Sequence, residues 1–484
     1  MSLAASVSNA LSGLTAASRA TDIVSSNIAN AMTEGHARRE LVLAPRHFAG
    51  NGGGVQVKNV QRIVDQAVLG DRRLADAAVS DATLRSSFHK RLENLLGSPT
   101  LPNSLSGRIS AFDTALVEAA SRPDSEARLA TVLTAAKDLT TSIRTISRDI
   151  SAARTEADRS IARDVDFANT TLKSLAEINA TILAQTAAGR DTAALMDQRQ
   201  SMVDALSKVI PLVELPREHG QIALMSKGGA ILLDGRAAEL GFSAAAIVTP
   251  DLNQADGTLS GLTLNGMPVP TDGKGILAGG SMGAAFQLRD DLAPQAQTQL
   301  DALARNLIER FADPAVDPTL TAGDPGLFTD GLGAFDPASE LGLANRLSTN
   351  ALADPSRGGA LWRLRAGLGA TAPGDVGQGT TLAALNAALN APLPPASGQF
   401  LGASRSLSGL SADLLSQVAA DRLGADSQAS YATARQEALQ ALHLSDGVDT
   451  DAEMQKLLQI EQAYAANARV VQTIDDMLSQ LLRL

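Results

Sequence analysis

Histidine, carboxylate, serine and glycine are the groups through which this 484-residue chain could do chemistry, and their spacing gives them little to work with. The five histidines, His36, His47, His89, His219 and His443, include no pair four residues apart and no His-Glu-x-x-His, so no helix face offers two imidazoles to a metal. His89 and Glu93 share one helix face, where a solvated i,i+4 pair is expected. Asp290-Asp291 and Asp475-Asp476 are adjacent acids, and neighbours on a helix diverge by about 100°. Neither pair converges on one bond as the two acids of a glycosidase do. Ser, His and Asp all occur, and no Gly-x-Ser-x-Gly elbow is expected to place a nucleophile.

The glycine run Gly50-Asn51-Gly52-Gly53-Gly54 suggests a phosphate loop only weakly. Val55-Gln56-Val57 continues as strand rather than opening a helix, and no Lys-Ser or Lys-Thr follows. The chain has no cysteine, which removes disulfides, thiolate nucleophiles and thiolate zinc sites together. The inventory predicts no catalytic residue, no cofactor and no metal, and argues against an enzyme. A net charge of -11 and the lack of a basic stripe argue against nucleic acid and anionic membrane surfaces as partners. No window of 18 apolar residues occurs, so no membrane insertion is expected. The first 30 residues lack a basic n-region and an unbroken apolar core, so no cleaved signal peptide is read there, while a cysteine-free chain suits export through a narrow channel.

What such a chain builds must then come from its elements. From Leu3 the series Leu3, Val7, Ala10, Leu14, Ala17, Thr21, Val24, Ile28, Ala31 steps alternately four and three residues. Leu457, Ile460, Tyr464, Asn467, Val471, Ile474, Leu478, Leu481 repeat the spacing at the other end, with Asn467 the strongly polar member. Ala463, Val470, Met477 and Leu484 add a third apolar row, wider than a single partner helix covers. Two readings stay open. The terminal helices close on each other as an antiparallel pair, or they pack with neighbouring copies into the wall of a tube.

Between them the chain reads as mainly α with an inserted β domain, elongated, its terminal helices pairing in a coiled-coil-like domain. We expect a terminal helical domain of residues 1–35 plus 447–484. A helical rod domain, 36–211 plus 285–446, is expected to carry a β-hairpin near 40–60 and a loop-rich stretch at 313–395. Helical periodicity covers about Ile63 to Leu96, Leu105 to Ala120 and Ala193 to Val209. From Asp124 to Ala188 one unbroken helix would be roughly 95 Å long, with a phase slip near Ile161 and Val165 that relaxes the supercoil or marks a kink. Residues 212–284, punctuated by Gly228-Gly229, Asp234-Gly235, Asp256-Gly257, Asn265-Gly266 and Asp272-Gly273, read as a small β-rich outer domain. Helix resumes from Phe286 to Arg310 and from Leu407 to Leu442, with short helices near 340–347 and 382–389.

The stretch from Ser26 to Arg38, with Asn27, Asn30, Thr33, Gly35 and Arg38, resembles the signature of bacterial flagellar axial proteins. His36 stands where an aromatic is usual. Gly447, Val448 and Glu453, in Ser445-Asp446-Gly447-Val448-Asp449-Thr450-Asp451-Ala452-Glu453-Met454, resemble the motif on the family's returning arm. Asp197-Gln198-Arg199, Leu288-Arg289-Asp290 and Leu300-x-x-Leu303-Ala304 are similar to the hook–filament junction members. The resemblance implies an extracellular structural ring of copies at the distal hook, with hook protein below, the second junction protein above, and delivery by flagellar type III export. An export chaperone would hold the C-terminal helix. Another axial subunit, of hook or rod, and a non-flagellar coiled-coil surface protein with a binding β domain remain alternatives.

Overall fold

The computed structural model describes residues 3–33, 35–48, 51–331, 333–400, 404–445 and 447–482, the side chains of 47, 48, 51, 52 and 481 aside. Leu484, Gly50 and the side chain of Leu481 therefore lie outside what is described. Helix α1 (Leu3–Ala29) leads into the antiparallel hairpin of β1 (Arg39–Phe48) and β2 (Asn51–Arg62), whose register shifts at Val42/Leu43 and Pro45/His47. Then come α2 (Gln66–Leu96), α3 (Leu105–Ser121), α4 (Glu126–Ala187) and α5 (Ala193–Val209). Each start has a local cause. Asp65 caps α2 by accepting from the N–H groups of Ala67 and Val68, and Ser104 caps α3 by accepting from Gly107.

Helix α4 is the spine. Its 62 residues run without a break through the phase slip, because Ile161, Val165 and Ala168 stay buried while the stripe rotates. The helix stops at Ala188-Gly189, where Gly189 takes φ +69 and Arg190 N–H returns to Gln185 C=O. Helices α2 and α11 (Leu407–Ser445) pack antiparallel on each other, tied by Ser86 to Asp426 at 2.6 Å and Glu93 to Arg422 at 2.6 Å. Glu93 is thus drawn across to α11 and does not pair with His89, which stacks edge-on against Phe88.

The segment 212–284 packs its strands against the rod. Strands β3 (Leu212–Pro216), β4 (Ile222–Ser226), β5 (Ile231–Asp234) and β6 (Arg236–Ala237) make one small sheet, and β7 (Leu240–Gly241), β8 (Leu262–Leu264) and β9 (Met267–Val269) another. Side chains of α4 act as partners for their backbones. Asn169 both donates to Leu240 C=O and accepts from Leu240 N–H at 2.8 Å, and Asn179 donates to Ile222 C=O at 2.8 Å. Leu224, Leu233, Leu240 and Leu262 are buried in the same cluster as the α4 stripe. Strands this short cannot enclose a core of their own, so the rod supplies it.

Helix α6 (Gly280–Gln287) begins earlier than the spacing predicts and passes through a π-helical turn, Leu288–Leu292, into α7 (Ala293–Ala312). The turn directs Arg289 inward, fully buried against Asp158 at 2.6 Å and between the rings of Phe242 and Phe286. The loop-rich stretch after it is packed rather than loose. Strands β10 (Phe328–Asp330) and β11 (Leu347–Thr349) pair antiparallel, α8 (Leu343–Arg346) sits between them, and α9 (Arg363–Ala366) and α10 (Thr380–Asn390) follow. Phe328 closes a three-ring cluster with Phe112 and Phe311. Two buried residues of α7 order the loops: Asp301 collects the N–H groups of Gly342 and Ala344, and Arg310 collects the C=O groups of Ala388, Ala391 and Arg405. With no carboxylate near it, burial pushes Arg310 down to about 10.

Candidate functional site: the joint of the terminal helices

The chain ends in α12 (Thr450–Leu481), capped by Asp449, which accepts from Asp451 and Ala452 N–H. It lies antiparallel on α1. A Cβ added to Gly13 would stand 2.8 Å from Asn467 Nδ2, and Asn27 donates to Glu453 at 3.2 Å. Fourteen residues forward on α1 thus match fourteen backward on α12, four turns in register. The polar member of the C-terminal stripe fills the notch left by Gly13, while its amide turns back to Ala463 C=O at 2.9 Å.

The structure divides the two stripes by cover. Val24 and Ile474 are buried; Val7, Leu14, Ile28, Leu457, Ile460, Asn467 and Val471 are half-buried. Leu3, Tyr464 and Leu478 are exposed, and so are Val470 and Met477 of the third row, at 41–48% for the four residues of α12. One partner helix covers the centre of the α12 stripe and leaves both flanks in water. Neither the small side chains of α1 nor the hairpin reaches them.

At the body end of the pair, two polar clusters share one strand. In the first, Asn27 is fully buried: its Oδ1 accepts from Arg39 N–H (3.0 Å), and its Nδ2 donates to Arg39 C=O (2.9 Å) and to Glu453. Glu453, 1% exposed, accepts from Arg38 Nε at 2.8 Å. Arg38 and Lys456 both donate to Glu40, at 2.9 and 3.2 Å. Lys456 and Arg38 hold the Glu40 carboxyl below its usual range. In the second cluster, Asp197 of α5 accepts from Arg39 at 2.5 Å and Arg62 at 2.8 Å, with His36 Nδ1 at 3.4 Å. Burial lowers the pKa of His36, opposed by Asp197 and helped by Arg39 and Arg62.

Of the motif residues, the structure brings Asn27, Arg38 and Glu453 together. Gly35, at φ +84, passes so close to Ser201 of α5 that a Cβ would overlap its hydroxyl. Asn30 and Thr33 stay local, Asn30 donating to Ser26 C=O and accepting from Thr33. Gly447 and Val448 form the turn between α11 and α12, half-buried and apart from both clusters; a Cβ on Gly447 would meet Leu444 C=O at 2.9 Å. Arg39, and Gln200, which accepts from Arg62 at 2.8 Å, complete the joint without having been singled out in the sequence, while Arg62, Asp197 and His36 come from stretches resembling the family.

Contrary to the expectation that no Gly-x-Ser-x-Gly elbow occurs, the chain contains Gly279-Gly280-Ser281-Met282-Gly283. It opens α6, and Ser281 Oγ donates to Asp164 at 2.8 Å, an acceptor with no imidazole to relay a proton. The joint is built from fixed ion pairs and amide bonds, suited to holding segments together.

Three family models match the chain: "Flagella basal body rod protein" over residues 8–36, "Flagellar hook-associated protein FlgK helical domain" over 89–315, and "Flagellar basal body rod FlgEFG protein C-terminal" over 445–484. At both ends and in its middle the chain is similar to flagellar axial proteins. Within them, it is similar in its middle to flagellar hook-associated protein 1. It is 28% identical over 239 residues to hook-associated protein 1 of Salmonella typhimurium, 48% of this chain and 43% of that protein. Against the Escherichia coli protein it is 25% identical over 312 residues, 63% and 56% of the two. The chain spans about half the length of these relatives. A solved structure of the hook junction protein FlgK from Burkholderia pseudomallei overlaps 54% of this chain and 47% of that one at 20% identity and a TM-score of 0.45.

Proposed function

We propose that the chain is a structural subunit of the hook–filament junction, forming a ring of copies through packed terminal helices, and that it is not an enzyme. The observation that carries the assembly is the uncovered apolar flank of α12: Tyr464, Val470, Met477 and Leu478 beside the buried Ile474. Water-exposed apolar rows on both sides of a covered seam are what further helices would bury. The junction position follows the relatives' name. Hook protein below, the second junction protein above, and an export chaperone on α12 before assembly are the partners this reading implies, with the assembled subunit outside the cell after type III export. No helix among the described residues is long and apolar enough to cross a membrane.

The test is direct. Purified chain mixed with hook fragments should cap their distal ends as seen by negative-stain microscopy, and a Leu478→Asp variant should not. Capping by the variant equal to that of the unaltered chain would remove the α12 flank from the assembly.

A further inference from the structure

The chain carries a net charge of -11, yet one groove on it is cationic. A space of about 1130 Å³ lies between the hairpin, the start of α2, the turn from α4 to α5 and the β3–β4 hairpin, and seven basic side chains line it against three acidic ones. Several of these are spoken for: Arg62 by Asp197, Arg73 by Asp204 and Glu214, Arg217 by Asp234. Arg19, Lys58 and Arg190 line the same groove, are exposed, and make no ion pair among the described residues. Arg199, buried at its wall, has only the neutral acceptors Asn179 and Gly220 C=O.

The opposite imbalance sits on α12. That helix carries five acidic residues and two basic ones, and Glu461, Asp475 and Asp476 are exposed without an ion pair among the described residues. Asp475 and Asp476 flank the buried Ile474 and the exposed Met477. Within one molecule α12 is already paired with α1, which holds its acids in place on the terminal pair and leaves the groove's cations unanswered.

We propose that the groove receives the acidic flank of α12 from a second copy of this chain. The proposal rests on the assembly reading above and names the surface that guides it. Unlike charges on two faces of one molecule favour head-to-tail contact between copies and oppose face-to-like-face contact. Exposed charges of this kind set register and association rate more than final strength.

Self-association of the full chain is measured by sedimentation across a range of salt. A variant carrying Lys58→Glu and Arg190→Glu, and one carrying Asp475→Lys and Asp476→Lys, should each associate on the order of ten-fold more weakly, the scale of two exposed ion pairs. The variant carrying all four changes should recover. As the chain has no cysteine, Arg190→Cys with Asp476→Cys should also form disulfides between copies on oxidation. All four positions are exposed, and an unchanged circular dichroism melt separates lost contact from lost fold. Normal association of both reversal variants, or no recovery in the combined one, overturns the groove contact while leaving assembly intact. Absence of association of the unaltered chain, alone and on hook fragments, overturns the assembly reading itself.

Discussion

Asn27, two residues from the end of the first helix, donates its side-chain amide to Glu453 in the first turn of the last helix, across 426 residues of sequence. The same amide clasps both backbone groups of Arg39, so one buried side chain fixes the first helix, the strand leaving it and the returning helix. Asn27→Ala should cost about 1–3 kcal/mol of joint stability, because Arg39 N–H and the Glu453 carboxylate lose a partner that water reaches poorly. Hydrogen exchange should quicken in residues 20–40 and 450–460 and stay unchanged in α4. Uniform quickening through α4 would mean that the joint and the body unfold as one.

The notch at Gly13 gives a second expectation. Gly13→Val forces the Asn467 amide off Ala463 and pushes the helices apart at the middle of the pair, a crowding cost of about 1–3 kcal/mol. Asn467→Ala in the same chain should recover most of it. A double variant no better than the single one would show that Asn467 is not what Gly13 accommodates.

The seam residues separate folding from assembly. Ile474 is 4% exposed and Leu478 41% exposed in the single chain. Ile474→Asp should therefore melt the terminal pair of the monomer, at about 3 kcal/mol or more for an unpaired charge in an apolar seam. Leu478→Asp should leave the monomer's circular dichroism unaltered. Equal loss of helix in both would argue that the flank is already covered without neighbours.

His36 makes the joint sensitive to pH. Its folded pKa lies below the ordinary 6.5 because burial disfavours the imidazolium, so the unfolded joint binds the proton more readily. Stability is whole above 6.5 and lost as pH falls below it. His36→Phe should flatten the pH dependence of protection factors of residues 30–40 between pH 7 and 5. A profile as steep as before would assign the effect to another group.

Asp301 acts in the opposite sense and in a different place. Burial raises it from 3.8 to about 6 despite three N–H donors, so the folded body holds a proton that the unfolded chain has released. Stability is lost as pH rises from about 4 to 6, on the order of 3 kcal/mol in total. Thermal melts of Asp301→Asn should lose that slope while starting lower, since an amide cannot accept from all three donors. Persistence of the slope would exclude Asp301 as its source.

The long helices were legible because their stripes are long and their stops chemically marked, Ala193–Val209 and the spine most clearly. The pairing of the termini was legible too, from a matching spacing at each end. What the residues did not disclose is where polar side chains replace backbone partners. Asn169 and Asn179 bind strands to the rod, and Asp301 and Arg310 gather loops, through single contacts with no periodicity to reveal them. For the same reason nothing in the residues tied the β segment to the rod or 313–395 to α7. In the joint, the residues of local motifs were visible, Arg62 and Asp197 among them, but that Asp197 would pair with Arg39 and Arg62 was not, since tertiary folding brings them together.

Both connections from the body to the terminal helix pair enter at the same end, one through the strand at Arg39 and one through the turn at Gly447, with the Asn27–Glu453 bond between them. A single covalent tether would let the pair swivel about its bonds. Two side by side act as the legs of a bracket, so a twist applied to the body reaches both helices together instead of being dissipated at one hinge.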